Sequence, residues 1–443
     1  MAKRWAGSIL ALLLTLSVVL AACGQSKDKE NEETAASSGS ASAAPASEAN
    51  GEKITIKMAM WDVNASFIDF LTAKVKEYSK VDPNVSVELE AFKNDGDYLK
   101  AMKVRLSANE MPDFFELKPN FINDFKSELL PLDDLSITAK NKFAKKYAVD
   151  GKVLAMPTVS FPELVYYHPS IFQELGLNVP TTWQQFMDVL NKLKENGKYI
   201  PYAMGGKDGW PDYPFNEFMH QIMSGDENYL SAIAAQDKPF SEGTPFYNAY
   251  SRIAALYDAK VMGPDPLGVS WDQATGLFES KQAAVVAAGL WYLDTYLSKV
   301  GNIDDLAAFP MPLRDSESEE LKVMTFTDHF YAINKNTKNP EAVKKFMEWF
   351  YSPEVHQAYV DKAKLGAAME GVTANVPFLN DFYAKNKITP FLYVPGNQQY
   401  TDLINATQLD WKKIGQEMMA GKKLADISAE LNDKWSKARA GAK

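Results

Sequence analysis

The four histidines, His168, His220, His329 and His356, are scattered along 443 residues with no HExxH or other paired spacing, so the sequence predicts no zinc or manganese site. One cysteine, Cys23, excludes an intrachain disulfide framework and a thiolate metal site. The glycines Gly205, Gly206 and Gly209 lack the strand, GxxxxGK[ST] and helix of a phosphate loop. Asn94-Asp95-Gly96-Asp97 lacks the acidic twelfth position of a calcium hand and reads as a turn before a helix. No Ser-His-Asp constellation or Gly-x-Ser-x-Gly elbow is present, and no metal or cofactor is expected. Two features with chemical character remain. One is the setting of Cys23. The other is a group of tryptophans, tyrosines and carboxylates in loop-like stretches.

Lys3 and Arg4 precede an apolar run from Ile9 to Leu20, and Leu20-Ala21-Ala22-Cys23-Gly24 follows. A bilayer needs ~20 apolar residues to span it. The run is shorter and fits the core of an export signal. Its end resembles a bacterial lipobox, which makes residues 1–22 a signal peptide and Cys23 the lipidated first residue of the mature chain. The alternative is an ordinary signal peptide with an incidental cysteine. Residues 24–52 carry charges and then Ala, Ser and Gly, with almost no large apolar side chain to offset ordering entropy. Residues 23–52 are therefore expected to be a disordered tether, reaching on the order of 30 Å by flexible-chain scaling.

The rest has the composition of a well-packed globular protein, 46% hydrophobic and 23% charged. A formal charge of −10 argues against a nucleic-acid partner and against any polybasic membrane anchor. Ile54, Ile56, Met58 and Met60 alternate as in a strand, with Trp61-Asp62-Val63-Asn64 at its carboxyl end. Phe67, Phe70, Leu71, Val75 and Tyr78 keep helical spacing up to Val81-Asp82-Pro83-Asn84, and Val85, Val87 and Leu89 begin a second strand. A helix through Tyr98, Met102 and Leu106 precedes a short strand at Phe114-Phe115. Strand and helix thus alternate as in an open parallel α/β sheet, where ligands collect beyond the carboxyl ends of the strands. Thr182 and Gln185 form a capping-box pattern ahead of Trp183, with Gly197 at the stop. Asn339-Pro340 opens another helix, which Pro353 is expected to end.

Several collinear segments carry a resemblance: Met111-Pro112-Asp113-Phe114-Phe115, Leu130-Pro131-Leu132-Asp133, Asp150 to Pro157 running on to Tyr166-Tyr167-His168, Pro180 to Trp183, Ala288-Gly289-Leu290-Trp291, and Ala332 to Lys335 leading into Asn339-Pro340-Glu341-Ala342. In this order they resemble the sugar-binding extracellular solute-binding proteins of bacterial ABC importers, the family that includes maltodextrin-binding proteins. His168 stands where that family usually has Asn, a departure expected to be structural. The resemblance implies a two-lobed periplasmic-binding-protein-like α/β fold of class II type, each lobe a mostly parallel sheet flanked by helices, with a multi-strand hinge. It places crossings near Val159 to Pro162, Pro310 to Glu320 and Ser352-Pro353. The first lobe would then hold 53–160 and 316–352, the second 161–315 and 353–443.

A sugar ring offers apolar faces and a rim of hydroxyls, so a site that grips one needs aromatic planes edged by carboxylates and amides. Trp61, Trp210, Trp271 and Trp291 are the expected platforms, Trp291 from the family comparison, with Tyr213 and Tyr400 beside them. Asp62, Asn64, Glu116, Asp328 and His329 are the expected polar contacts, each of which a helix cap, a turn or a solvated charge would also explain. Trp183, Trp349, Trp411 and Trp435 lie on helical stretches and are expected to pack. The resemblance implies a monomeric, non-enzymatic, lipid-anchored receptor outside the membrane that passes a carbohydrate to an ABC permease. The rivals are a surface glycoside hydrolase, since carboxylates beside aromatics also suit that chemistry, and a receptor for a non-sugar ligand.

Overall fold

The computed structural model describes residues 53–441; the expected signal peptide, lipidated Cys23 and tether lie outside them. Strand β1 (Ile54–Trp61) turns Ile56, Met58 and Met60 toward Phe67, Leu71 and Val75 of the helix Ala65–Lys76. Its other face holds Ala59 and Trp61 against Tyr98, Met102 and Phe115, so both faces are covered, as a parallel sheet demands. Each fully buried Leu or Phe here contributes about 1.5–3 kcal/mol. β1 runs parallel to β2 (Val85–Phe92) and to β3 (Phe114–Leu117). Asn94 caps the helix Asp95–Ala108, its Oδ1 accepting from Asp97 N–H at 2.7 Å, so the Asn-Asp-Gly-Asp stretch is a helix start.

Two strands of 12 residues join the lobes. β4 (Met156–Tyr167) pairs antiparallel with β8 (Lys322–Ile333) from Met156 to Pro162. From Glu163 onward it pairs instead with β6 (Ala283–Gly289) on one side and β7 (Ala307–Pro310) on the other. β5 (Ile200–Tyr202) extends the second lobe parallel to β6, while β9 (Gly366–Ala367) and β10 (Thr389–Leu392) flank β4 and β8. The path β2-β1-β3-β8-β4-β6-β5 therefore runs unbroken through two α/β lobes.

The capping box forms as its sequence implies: Thr182 Oγ1 accepts from Gln185 N–H at 3.3 Å, and Gly197 ends the helix Trp183–Asn196 at φ +72°. His168 is fully buried with its ring nitrogens 2.9 and 2.7 Å from the carbonyl oxygens of Asp305 and Phe278, a packing role. The structure differs from expectation at Ser352-Pro353. The helix Pro340–Phe350 stops there, but Pro353 starts a new helix, Pro353–Ala363, rather than a crossing. Tyr359 of that helix meets Phe67 edge-on at 5.0 Å and Phe350 at 5.8 Å, so its apolar face shares the first lobe's core. Second-lobe packing resumes at Phe378, stacked on Tyr166 at 5.7 Å.

Candidate ligand-binding site

The predicted residues fall into two groups on either side of the point where β4 changes partners. The first gathers at the ends of β1 and β3 and midway along β8. Trp61, the last residue of β1, is 7% exposed, and its backbone N–H donates to Glu116 Oε2 at 3.1 Å. Glu116 on β3 is fully buried, and its other oxygen lies 2.6 Å from His329 Nδ1, a close ion pair off hydrogen-bond angle. The His329 ring stacks near Trp61 at 6.0 Å and 16°. His329 itself sits at φ +51° inside a strand, a left-handed conformation that costs energy for a residue with a Cβ. Lys118 extends over Trp61, 5.7 Å from the ring, and pairs with Asp95 at 2.5 Å.

The electrostatics follow from burial. Loss of water raises the Glu116 carboxyl to about 7 against the pull of His329. Burial alone would lower His329, but Glu116, Asp328 and Asp62 together hold it up at about 10. Burial likewise raises Asp62, opposed by His329 and by the Asn64 backbone N–H, which donates to Asp62 Oδ1 at 2.7 Å. Asn64 does two things. Its Oδ1 caps the helix Ala65–Lys76 by accepting from Ser66 N–H, while its Nδ2 reaches the other lobe and donates to Asp294. Lys364 pairs with the same carboxylate.

The second group is aromatic. Trp210, Trp271 and Trp291 are half-buried and lie 5.0, 5.7 and 6.0 Å from one another, each pair inclined by 51–53°. Tyr213 lies beside Trp210 at 6.3 Å and 25°. Local structure fixes each indole. Trp271 opens the helix Trp271–Glu279 behind a Ser270/Gln273 capping box, and its N–H donates to Asp208 Oδ2 at 2.7 Å. Gly205 passes so near that a Cβ there would lie 2.8 Å from Trp271 Cα. Trp291 follows the end of β6 and precedes the helix Tyr292–Val300.

Tyr400, expected beside these rings, is 8% exposed and packs in the second lobe's core 6.3 Å from Trp435, with no ring contact to either group. Glu163, Glu217, Lys118 and Asp294 are not among the residues expected from the sequence. Glu163 carried a signal, a lone acid in the apolar run Phe161-Pro162-Glu163-Leu164-Val165; Asp294, on an amphipathic helix, carried none. Glu163 is 5% exposed, and Tyr213 Oη donates to its Oε2 at 2.6 Å while accepting from Gly289 N–H at 3.0 Å. A pocket of about 460 Å³ lined by Met204, Met262, Val269 and Leu277 shares no residue with either group. Among the described residues no three His, Cys, Asp or Glu side chains gather as a metal site, and no helix is long and apolar enough to cross a membrane.

Comparison with known proteins gives a consistent result. Residues 64–357 match the family model described as bacterial extracellular solute-binding protein. The multiple sugar-binding protein of Streptococcus mutans is 23% identical over 374 residues, 82% of each chain. A solute-binding protein, RafE, solved with raffinose, superposes with a TM-score of 0.72 at 19% identity, covering 87% of this chain and all of that one. A binding protein of an ABC transporter from Bifidobacterium animalis, solved with mannobiose, gives 0.72 at 18% identity over 87% and 94% of the two chains.

Proposed function

This chain belongs to the bacterial extracellular solute-binding proteins, and on that premise we propose that it captures a carbohydrate, an oligosaccharide of a few units, between its lobes and delivers it to the permease of an ABC importer. The observation that carries this is the meeting of Trp210, Trp271 and Trp291 on one lobe, across the strand exchange from Trp61, Glu116 and His329 on the other. Indole planes accept the C–H faces of pyranose rings, and buried carboxylates take paired hydroxyl hydrogen bonds. A sugar that touches both lobes only when they meet binds the closed form better and shifts the equilibrium toward it. The sugar-binding relative and the raffinose and mannobiose complexes support the ligand class. The function needs no chemistry on the ligand, and the protein acts as a receptor rather than a hydrolase.

In this reading the mature chain begins at a lipidated Cys23, residues 24–52 tether the body to the outer face of the membrane, and the receptor works as a monomer. Calorimetric titration with raffinose, mannobiose and maltotriose, with a parallel assay for new reducing ends, tests the proposal. Saturable binding without new reducing ends is the expected result; release of reducing ends, or no binding across a broad glycan panel, would sink it. Mass spectrometry of protein from membranes should find lipid on Cys23, and an unmodified mature terminus elsewhere removes the anchor.

A further inference from the structure

Glu163 lies where β4 leaves β8 for β6: Pro162 is opposite Thr325, and Glu163 is opposite Gly289. It is thus at the floor between the ligand groups of the two lobes. The strand around it is apolar, and a position needing only filling would take Leu at far less cost than a buried carboxyl. One oxygen, Oε2, is engaged by Tyr213; Oε1 meets no donor among the described residues and is not sealed from solvent.

The charged and titratable groups facing it are Asp328 from β8, Glu217 and Tyr213 from the second lobe, and Tyr166 from β4 itself; β6 and β7 contain none. Two are acids and none is a cation. A buried carboxyl with no cation, beside two carboxylates, holds its proton at neutral pH. Burial, with Asp328 and Glu217 adding to it against the Tyr213 hydrogen bond, accordingly raises Glu163 to about 8.

Building on the carbohydrate reading above, we propose that Glu163 enters the site as an uncharged carboxylic acid whose Oε1 hydroxyl donates a hydrogen bond to a ring, hydroxyl or glycosidic oxygen of the sugar. The carbonyl-like Oε2 accepts from Tyr213, so donor and acceptor are sorted within one carboxyl. Such a site selects sugars that present an oxygen acceptor at the cleft floor.

Glu163→Gln separates this role from simple packing. The amide carbonyl still accepts from Tyr213 and the NH₂ still donates toward the ligand, but the side chain cannot ionise. Calorimetry with raffinose and mannobiose near pH 6 and near pH 9.5, on the unaltered protein and the variant, should give three results. The unaltered protein should weaken by about fivefold or more at the higher pH as the donor is lost. Glu163→Gln should keep the low-pH affinity within about threefold and lose most of that fall. Glu163→Leu, with its thermal midpoint checked, should weaken binding about tenfold at both pH values.

A loss of about tenfold in Glu163→Gln near pH 6, or the same pH dependence in the variant as in the unaltered protein, overturns the uncharged donor. So does an unaltered protein whose sugar affinity does not vary with pH. Failure of the unaltered protein to bind either sugar or any of a wider panel is a different outcome, which removes the carbohydrate reading and this inference with it.

Discussion

At the scale of single residues, the indole cluster makes a measurable claim. Stacking on a sugar face at Trp291 is worth about 1.4 kcal/mol. Trp291→Ala is therefore predicted to weaken sugar binding about tenfold with the thermal midpoint little changed. Unchanged affinity in calorimetry would assign Trp291 to packing alone. His329 gives a prediction about stability. Its folded pKa of about 10 stands above the ordinary 6.5, so its contribution is complete below pH 6.5 and lost as pH rises through 10. The thermal midpoint should fall across that interval, and His329→Gln should flatten the fall. An identical slope in the variant would show that the Glu116–His329 pair does not set it. The residue types of the site were legible because tryptophans in Gly, Pro and Asp context stand out from those on helical stripes. Tyr400 shows the limit: it is expected beside the platforms, yet it lies on the helix Gln398–Thr407 with its ring in the core. Its burial depends on Trp435, distant in sequence and supplied only by folding.

At the scale of elements, local signals worked where physics is local. The alternation in β1 and the box at Thr182/Gln185 each depend on neighbours within a few residues. Thr182→Ala should cost about 1 kcal/mol and lower the thermal midpoint by about 1 °C, leaving sugar affinity unaltered; no change in a thermal melt or in the denaturant midpoint would mean that the cap is redundant. The misplaced third crossing has an equally local cause. Proline stops one helix and suits the first turn of the next, so Pro353 supports both readings, and the packing of Tyr359 on Phe67 decides between them. The partner exchange at Pro162/Glu163 lies at the edge of the stretch, Val159 to Pro162, that the family resemblance offered as a crossing; residue pattern alone carries no such signal, because both halves of β4 are apolar and register depends on distant strands.

At the scale of the whole molecule, Asp294 joins the lobes by accepting from Asn64 and pairing with Lys364. Asp294→Ala should loosen the closed arrangement: a larger radius of gyration by solution scattering without ligand, and about threefold to tenfold weaker sugar binding. A scattering profile identical to that of the unaltered protein would show that this contact does not hold the lobes. The strand order has a further consequence for how the chain comes into being. β8 lies between β3 and β4, although more than 150 residues separate it from the end of β4. A polypeptide emerging from the ribosome therefore cannot fill the gap between β3 and β4 until Ile333 has been made, and each of the two strands waits with a bare edge while the intervening segment is synthesised. Until the late strand slots in, those two edges are open to pairing with the wrong strand.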